Sequence, residues 1–123
     1  MKFITLSLLA IIVINIACNK NSSTTDYVAN AVCTGTTPTY TNDVASILNT
    51  SCALSGCHSA GSSQAGINLS DYSSASSQFK NNSKNLASVH HASGVEAMPR
   101  NASKLSDTQI SILDCWVKNG CPQ

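Results

Sequence analysis

The chain is short of charge and of aromatic rings. Charged residues make up 11% of its 123 positions and aromatic residues 5%. Seven basic side chains stand against six acidic ones, a formal net charge of +1. No basic stripe and no interleaving of basic and aromatic residues exists, so nothing argues for a nucleic-acid-binding surface. The chain has no GxGxxG and no P-loop, its carboxylates are scattered, and its serines fall in loop-like stretches rather than a nucleophile elbow. It therefore reads as something other than an enzyme. There is no internal repeat. The apolar inventory is thin for the one small domain that this length allows, and such a core usually needs a disulfide, a metal or a cofactor as a staple. Cysteine, by contrast, is plentiful, at six residues.

Long hydrophobic runs are also missing, apart from one at the N-terminus. Lys2 precedes an apolar stretch from Phe3 to Ile16, followed by Ala17 and Cys18. This run is shorter than the roughly 20 residues of a spanning helix. It fits a secretory signal with a basic start, an apolar middle and a small residue before the cut. Its end resembles a bacterial lipoprotein signal, in which Cys18 becomes the lipid-bearing first residue, although Asn15 and Ile16 depart from the usual residues there. An ordinary signal cut nearby, or an uncleaved anchor, is the alternative. Residues 1–17 are thus expected to be a leader, 18–32 a polar tether with no apolar face, and 33–123 the folded domain. That places the protein in the cell envelope, held to a membrane by lipid, periplasmic or associated with the outer membrane. Without Lys2, six basic residues balance six acidic ones. In that compartment spare thiols tend to pair.

The periodicity of the remainder predicts an all-α domain with short helices and much loop. A first helix is expected from Tyr40, capped by Thr41 or Asn42, with Asp43 in its first turn and Val44, Ile47 and Leu48 on one face. It runs into Cys52. The segment 59–65 is Gly- and Ser-rich loop, and 66–69 an extended piece with Ile67 and Leu69 on one side. Ser70 or Asp71 can cap a short helix through Tyr72 and Phe79. The segment 80–85 reads as loop, 86–91 as a helical turn, and 95–100 as irregular chain, because Pro99 restricts Met98. The clearest helix is the last. Ser106 caps it, Asp107 follows, Ile110, Leu113 and Val117 form a face widened by Ile112 and Trp116, and Asn119-Gly120 ends it.

The chemistry centres on Cys52-Ala53-Leu54-Ser55-Gly56-Cys57-His58. Two cysteines followed directly by histidine can attach a c-type haem: the thiols add across the porphyrin vinyl groups and the imidazole ligates iron. The usual motif has two residues between the cysteines, and this one has four. A disulfide beside a bystander histidine, or half of a zinc site, are the competing readings. A zinc site needs four ligands, and Cys33, Cys115 and Cys121 supply no second tight pair. Met98-Pro99 follows forty residues after His58. A thioether is a soft ligand suited to the sixth position of a haem iron, while filling a core gap is a methionine's commoner role.

The order of these pieces resembles the class I cytochrome c family, in the small exported bacterial form. They are a helix from Tyr40 to Leu48 ending in Cys52–His58, then Gly66-Ile67-Asn68-Leu69, Ala97-Met98-Pro99, and Leu105-Ser106-Asp107 leading to Trp116-Val117-Lys118-Asn119-Gly120. The resemblance covers roughly residues 33 to 121. It implies a cytochrome c-like bundle around one covalent haem c, with Cys52 and Cys57 as thioether positions and His58 and Met98 as axial iron ligands. His90 or His91 could instead take the sixth position and lower the potential.

In such domains the first helix packs on the last, which implies a disulfide from Cys33, just before the first helix, to Cys115 or Cys121. A Cys115–Cys121 closure is the alternative. The function implied is membrane-tethered electron transfer to a redox protein or terminal oxidoreductase complex. A haem-based sensor or accessory subunit is a second reading, and a haemless, disulfide-stapled envelope lipoprotein a third.

Overall fold

The computed structural model describes residues 24–82 and 84–123. The expected leader 1–17, Cys18 and the first part of the tether lie outside the described residues. The described chain is all-α, with no strand among the described residues. Five α-helices follow one another: α1 (Thr24–Asn30), α2 (Ala45–Ser51), α3 (Tyr72–Asn81), α4 (Asn85–Val89) and α5 (Asp107–Lys118). A π-helical turn, Tyr40–Val44, feeds directly into α2, and a single 3-10 turn, Gln64–Gly66, interrupts the long loop after it.

Local chemistry explains the starts and stops. Thr39, rather than Thr41 or Asn42, caps the first long helix: its hydroxyl accepts from the Asn42 N–H at 3.3 Å, and Asp43 Oδ2 accepts from the Thr39 N–H at 2.8 Å. These reciprocal bonds satisfy donors that the first turn leaves open. Asp71 caps α3 by accepting from the Ser74 N–H at 2.8 Å. That bond and others to its carboxylate hold Asp71 below the ordinary carboxylate range. Ser106 and Gln109 form a capping box on α5, whose acidic first turn and Lys118 in its last turn suit the helix dipole. Gly120, at φ +80°, takes the left-handed stop after it.

The core lies between the turn–α2 unit, α3, α4 and α5. Val44, Leu48, Leu86, Leu113 and Trp116 are fully buried in it. Most of the few aromatic rings meet there. Phe79 stands edge-on to Trp116 at 5.7 Å, and Tyr40 lies 6.2 Å from Trp116 and 5.5 Å from Tyr72. The buried indole needs a hydrogen-bond partner. The Pro122 carbonyl provides it, accepting from Trp116 Nε1 at 2.8 Å and from the Tyr40 N–H at 2.9 Å. Tyr72 Oη donates to the next carbonyl back, that of Cys121, at 3.1 Å. The C-terminal tail is thereby sewn across the start of the first long helix.

Within the segment assigned to a polar tether, residues 24–30 form α1, packed on α4 and α5. A seven-residue helix is marginal in isolation, so tertiary contacts hold it. Tyr27 and Val28 pack against the core, and Tyr27 stacks on His90 with centroids 3.8 Å apart. Just beyond, Lys118 Nζ donates to the Ala31 carbonyl at 2.7 Å, and Cys33 is disulfide-bonded to Cys115 of α5. Cys121 stays a free, buried thiol, pushed up to about 11 by that burial.

Candidate functional site

The candidate site begins where α2 ends. Cys52 caps the helix, its N–H donating to Leu48 O at 2.9 Å. From there the four residues between the cysteines fold into an outward turn. The Cys57 N–H donates to Leu54 O at 2.9 Å, and Gly56, at φ +78°, takes the left-handed position that a side chain would strain. Ser62 Oγ accepts from the Gly56 N–H at 2.9 Å. The base of the turn is closed by the His58 N–H donating to Cys52 O at 3.1 Å. Leu54, at the tip, is 44% exposed.

The following loop then folds back and holds His58. Gln64 N–H donates to Cys57 O at 3.0 Å and Leu69 N–H to His58 O at 2.8 Å. His58 Nδ1 lies 3.3 Å from the Ile67 carbonyl. With the proton on Nδ1, donated to that carbonyl, Nε2 keeps its lone pair for a metal ion. Leu69 is buried and Ile67 packs against the core, so the acceptor is carried on an anchored strand-like piece.

Cys52 and Cys57 are separate thiols, while Cys33 and Cys115 are joined. Cys52 is half-buried and its thiol is pushed up to about 11, first by burial and then by the neighbouring Cys57. Cys57 is exposed. Among the described residues, no three or more His, Cys, Asp or Glu side chains cluster as a metal-ion site.

Met98 stands on a different loop, returning from α4. It is half-buried, and its N–H donates to Ser88 O at 3.0 Å. His91 Nε2 lies 3.0 Å from the Met98 carbonyl. His90 is committed elsewhere: its Nε2 lies 2.9 and 3.0 Å from the two carboxylate oxygens of Asp114, and its ring is stacked on Tyr27. The structure thus places Cys52, Cys57 and His58 on one turn, Met98 beside α4, and the Cys33–Cys115 bond at the end of an N-terminal strap formed by α1 and residues 31–33. Two open clefts, of about 270 and 310 Å³, also border that strap along α5, and neither is lined by Cys52, Cys57, His58 or Met98.

Two participants were not foreseen from sequence. The Ile67 carbonyl that orients His58 is a main-chain group and carries no sequence signal. Asp114 does carry one, because it is an acidic residue four positions after Ile110 on the apolar side of α5. Charge is also arranged unevenly: no Asp, Glu, Lys or Arg occurs between Asp43 and Asp71, the stretch that contains the whole thiol turn. Comparison of the chain with protein-family models, curated proteins and solved structures returns no match in any of the three.

Proposed function

We propose that this protein is a mono-haem c-type cytochrome, an electron carrier with a cytochrome c-like fold. The observation that carries this reading is the state of the Cys52–His58 turn. Two unpaired thiols flank a turn whose histidine has Nδ1 tied to a main-chain carbonyl and Nε2 left to ligate. This donor set fits haem c. Cys52 and Cys57 would hold it by thioethers, His58 would be the proximal ligand, and Met98 the distal one. When bound, haem c supplies reversible one-electron chemistry at its iron.

The protein's own residues do the rest. Ile67 O fixes the plane and tautomer of His58. The anchored loop 64–69 keeps His58 from swinging with the exposed turn. Met98 presents a soft sulfur, which favours the ferrous state and a fairly high potential. His90 is poorly placed to compete for the sixth position, since its Nε2 is bound to Asp114. The leader and Cys18 support export and a lipid tether in the cell envelope, where a redox protein or terminal oxidoreductase complex would be the partner.

The test is direct. The protein exported from cells able to mature c-type cytochromes is expected to be red, to retain haem on a denaturing gel, and to give a pyridine haemochrome of thioether type. The oxidised form should show the sulfur–iron charge-transfer band, and Met98→Ala should lose it. A colourless product without covalent haem would refute the proposal and leave the stapled-lipoprotein reading.

A further inference from the structure

The loop carrying Met98 is closed by a small ring of hydrogen bonds. Ser88, in α4, offers one carbonyl to two donors: the His91 N–H at 3.1 Å and the Met98 N–H at 3.0 Å. The third side of the ring is a side chain, His91 Nε2, 3.0 Å from the Met98 carbonyl. Both main-chain polar groups of Met98 are therefore held to the end of α4, one by the backbone and one by an imidazole.

His91 also occupies an unusual backbone position. Its φ is +57°, in the left-handed region where non-glycine residues are uncommon. Histidine, like asparagine, is among the non-glycine residues that enter this region most readily, so the turn alone does not call for an imidazole. What the left-handed residue gains as histidine is reach: its ring spans from the end of α4 to the carbonyl of Met98, across a loop whose interior includes Gly94 at φ +84°. The ring is exposed and stacks on no other aromatic side chain among the described residues, so core packing does not account for it.

We propose that His91 is a positioning residue for Met98: its Nε2–H donates to the Met98 carbonyl and holds the sulfur in place to serve as the sixth ligand. The inference rests on the haem reading above and adds that His91 itself is not the ligand. Without the ring, Met98 keeps only its N–H anchor, and its carbonyl side is free to turn. The sulfur would then leave the iron more often, and an outside ligand would find the position open for a larger fraction of the time.

Exogenous imidazole, titrated into the oxidised holoprotein, measures that fraction. Two variants that differ by one methylene separate the bond from the backbone. His91→Asn keeps a residue that tolerates positive φ but falls short of the carbonyl, and His91→Gln places an amide N–H at about the reach of the imidazole. His91→Asn is expected to bind imidazole about fivefold more tightly than wild type, the factor that one ordinary hydrogen bond supplies. His91→Gln should recover most of the wild-type value. Equal imidazole affinity in wild type and His91→Asn overturns the proposal, and so does an equal gain in both variants. A five-coordinate, high-spin spectrum in both variants means that His91 was the ligand, and also overturns it. If wild type carries covalent haem but lacks the sulfur–iron band, Met98 ligation fails and the positioning role fails with it. A wild-type protein without haem refutes the functional reading itself.

Discussion

Breaking the Cys33–Cys115 bond should cost this protein a large share of its stability, and the geometry allows the size to be worked out. The two cysteines are 82 positions apart. In the chain-entropy account, releasing a closed loop of that length frees the unfolded ensemble by about 4.5 kcal/mol, against about 2 kcal/mol for the short Cys115–Cys121 closure. Measured losses for native disulfides generally run from about 2 to 5 kcal/mol. The best single substitution is Cys33→Ala. Cys33 is exposed, so nothing is lost in packing, whereas Cys115 is 5% exposed and its removal would also leave a cavity. Equilibrium urea unfolding can be followed through Trp116, the only tryptophan and a fully buried one.

A loss of about 3 kcal/mol is expected for Cys33→Ala, which for a domain near 100 residues corresponds to a fall of about 15 °C in Tm. Its m-value should stay the same or rise, because an unfolded chain without the cross-link exposes more surface. The loss should also be felt locally. The bond anchors the end of the α1 strap, so amide exchange in 26–31 should accelerate more than exchange in α5. A variant within about 0.5 kcal/mol of wild type would refute the reasoning, as would non-reducing peptide mapping that recovers Cys33 joined to Cys121.

Two further outcomes follow from charge. Burial raises the Asp114 carboxyl above its ordinary value, and the hydrogen bond from His90 only partly offsets it. The folded state therefore holds that proton to higher pH than the unfolded chain does. Its contribution to stability is full below the ordinary carboxylate range and is lost as pH rises through the raised value. Urea unfolding of wild type and Asp114→Asn across this window should show the wild type losing stability relative to the variant as pH rises; a parallel pair of curves would contradict the assignment. The second concerns the haem reading. With no charged residue between Asp43 and Asp71, and with Glu96 and Arg100 near Met98 paired to each other at 3.1 Å, the thiol-turn edge carries little net charge. Oxidation of the ferrous protein by anionic ferricyanide and by a cationic cobalt complex should both vary little with ionic strength, and steep slopes of opposite sign would show a charged edge instead.

Much of the helical plan is legible in the sequence where side chains speak for the backbone. Ser106 and Gly120 bracket α5 as their chemistry demands, and Asp71 starts α3. The misses have separate causes. Thr39 caps earlier than Thr41 or Asn42 because a π-turn, with the Val44 N–H reaching Thr39 O at 3.2 Å, places one more residue in the first turn than α-helical spacing allows. The helix at 24–30 was hidden because its stability comes from residues far along the chain: His90 beneath Tyr27, Lys118 at the Ala31 carbonyl and Cys115 at Cys33. A polar heptapeptide shows none of those partners. The choice between Cys115 and Cys121 for Cys33 was likewise invisible. It turns on the C-terminal tail folding inward, where the Cys121 N–H donates to Trp116 O at 2.8 Å and Tyr72 holds the Cys121 carbonyl, so the Cys121 thiol is buried away from the strap.

The four-residue spacing of the thiol turn can be understood on the same terms. In the haem reading, His58 needs a fixed relation to the helix before it and to the acceptor behind its ring. Both are set here by bonds that do not depend on the length of the turn: His58 N–H to Cys52 O, and His58 Nδ1 to Ile67 O. The two extra residues are absorbed on the outside, in a tip made possible by Gly56 and pinned by Ser62. A shorter loop would close on the same base. In the reading proposed above, loop length therefore acts on the exposed Cys57 side, where a maturation enzyme must recognise the chain, and leaves the half-buried Cys52 and the His58 ring in place. Deleting Leu54 and Ser55 should on this argument preserve the backbone bond from the Leu69 N–H to His58 O, observable as unchanged exchange of the Leu69 amide, while changing how efficiently haem is attached.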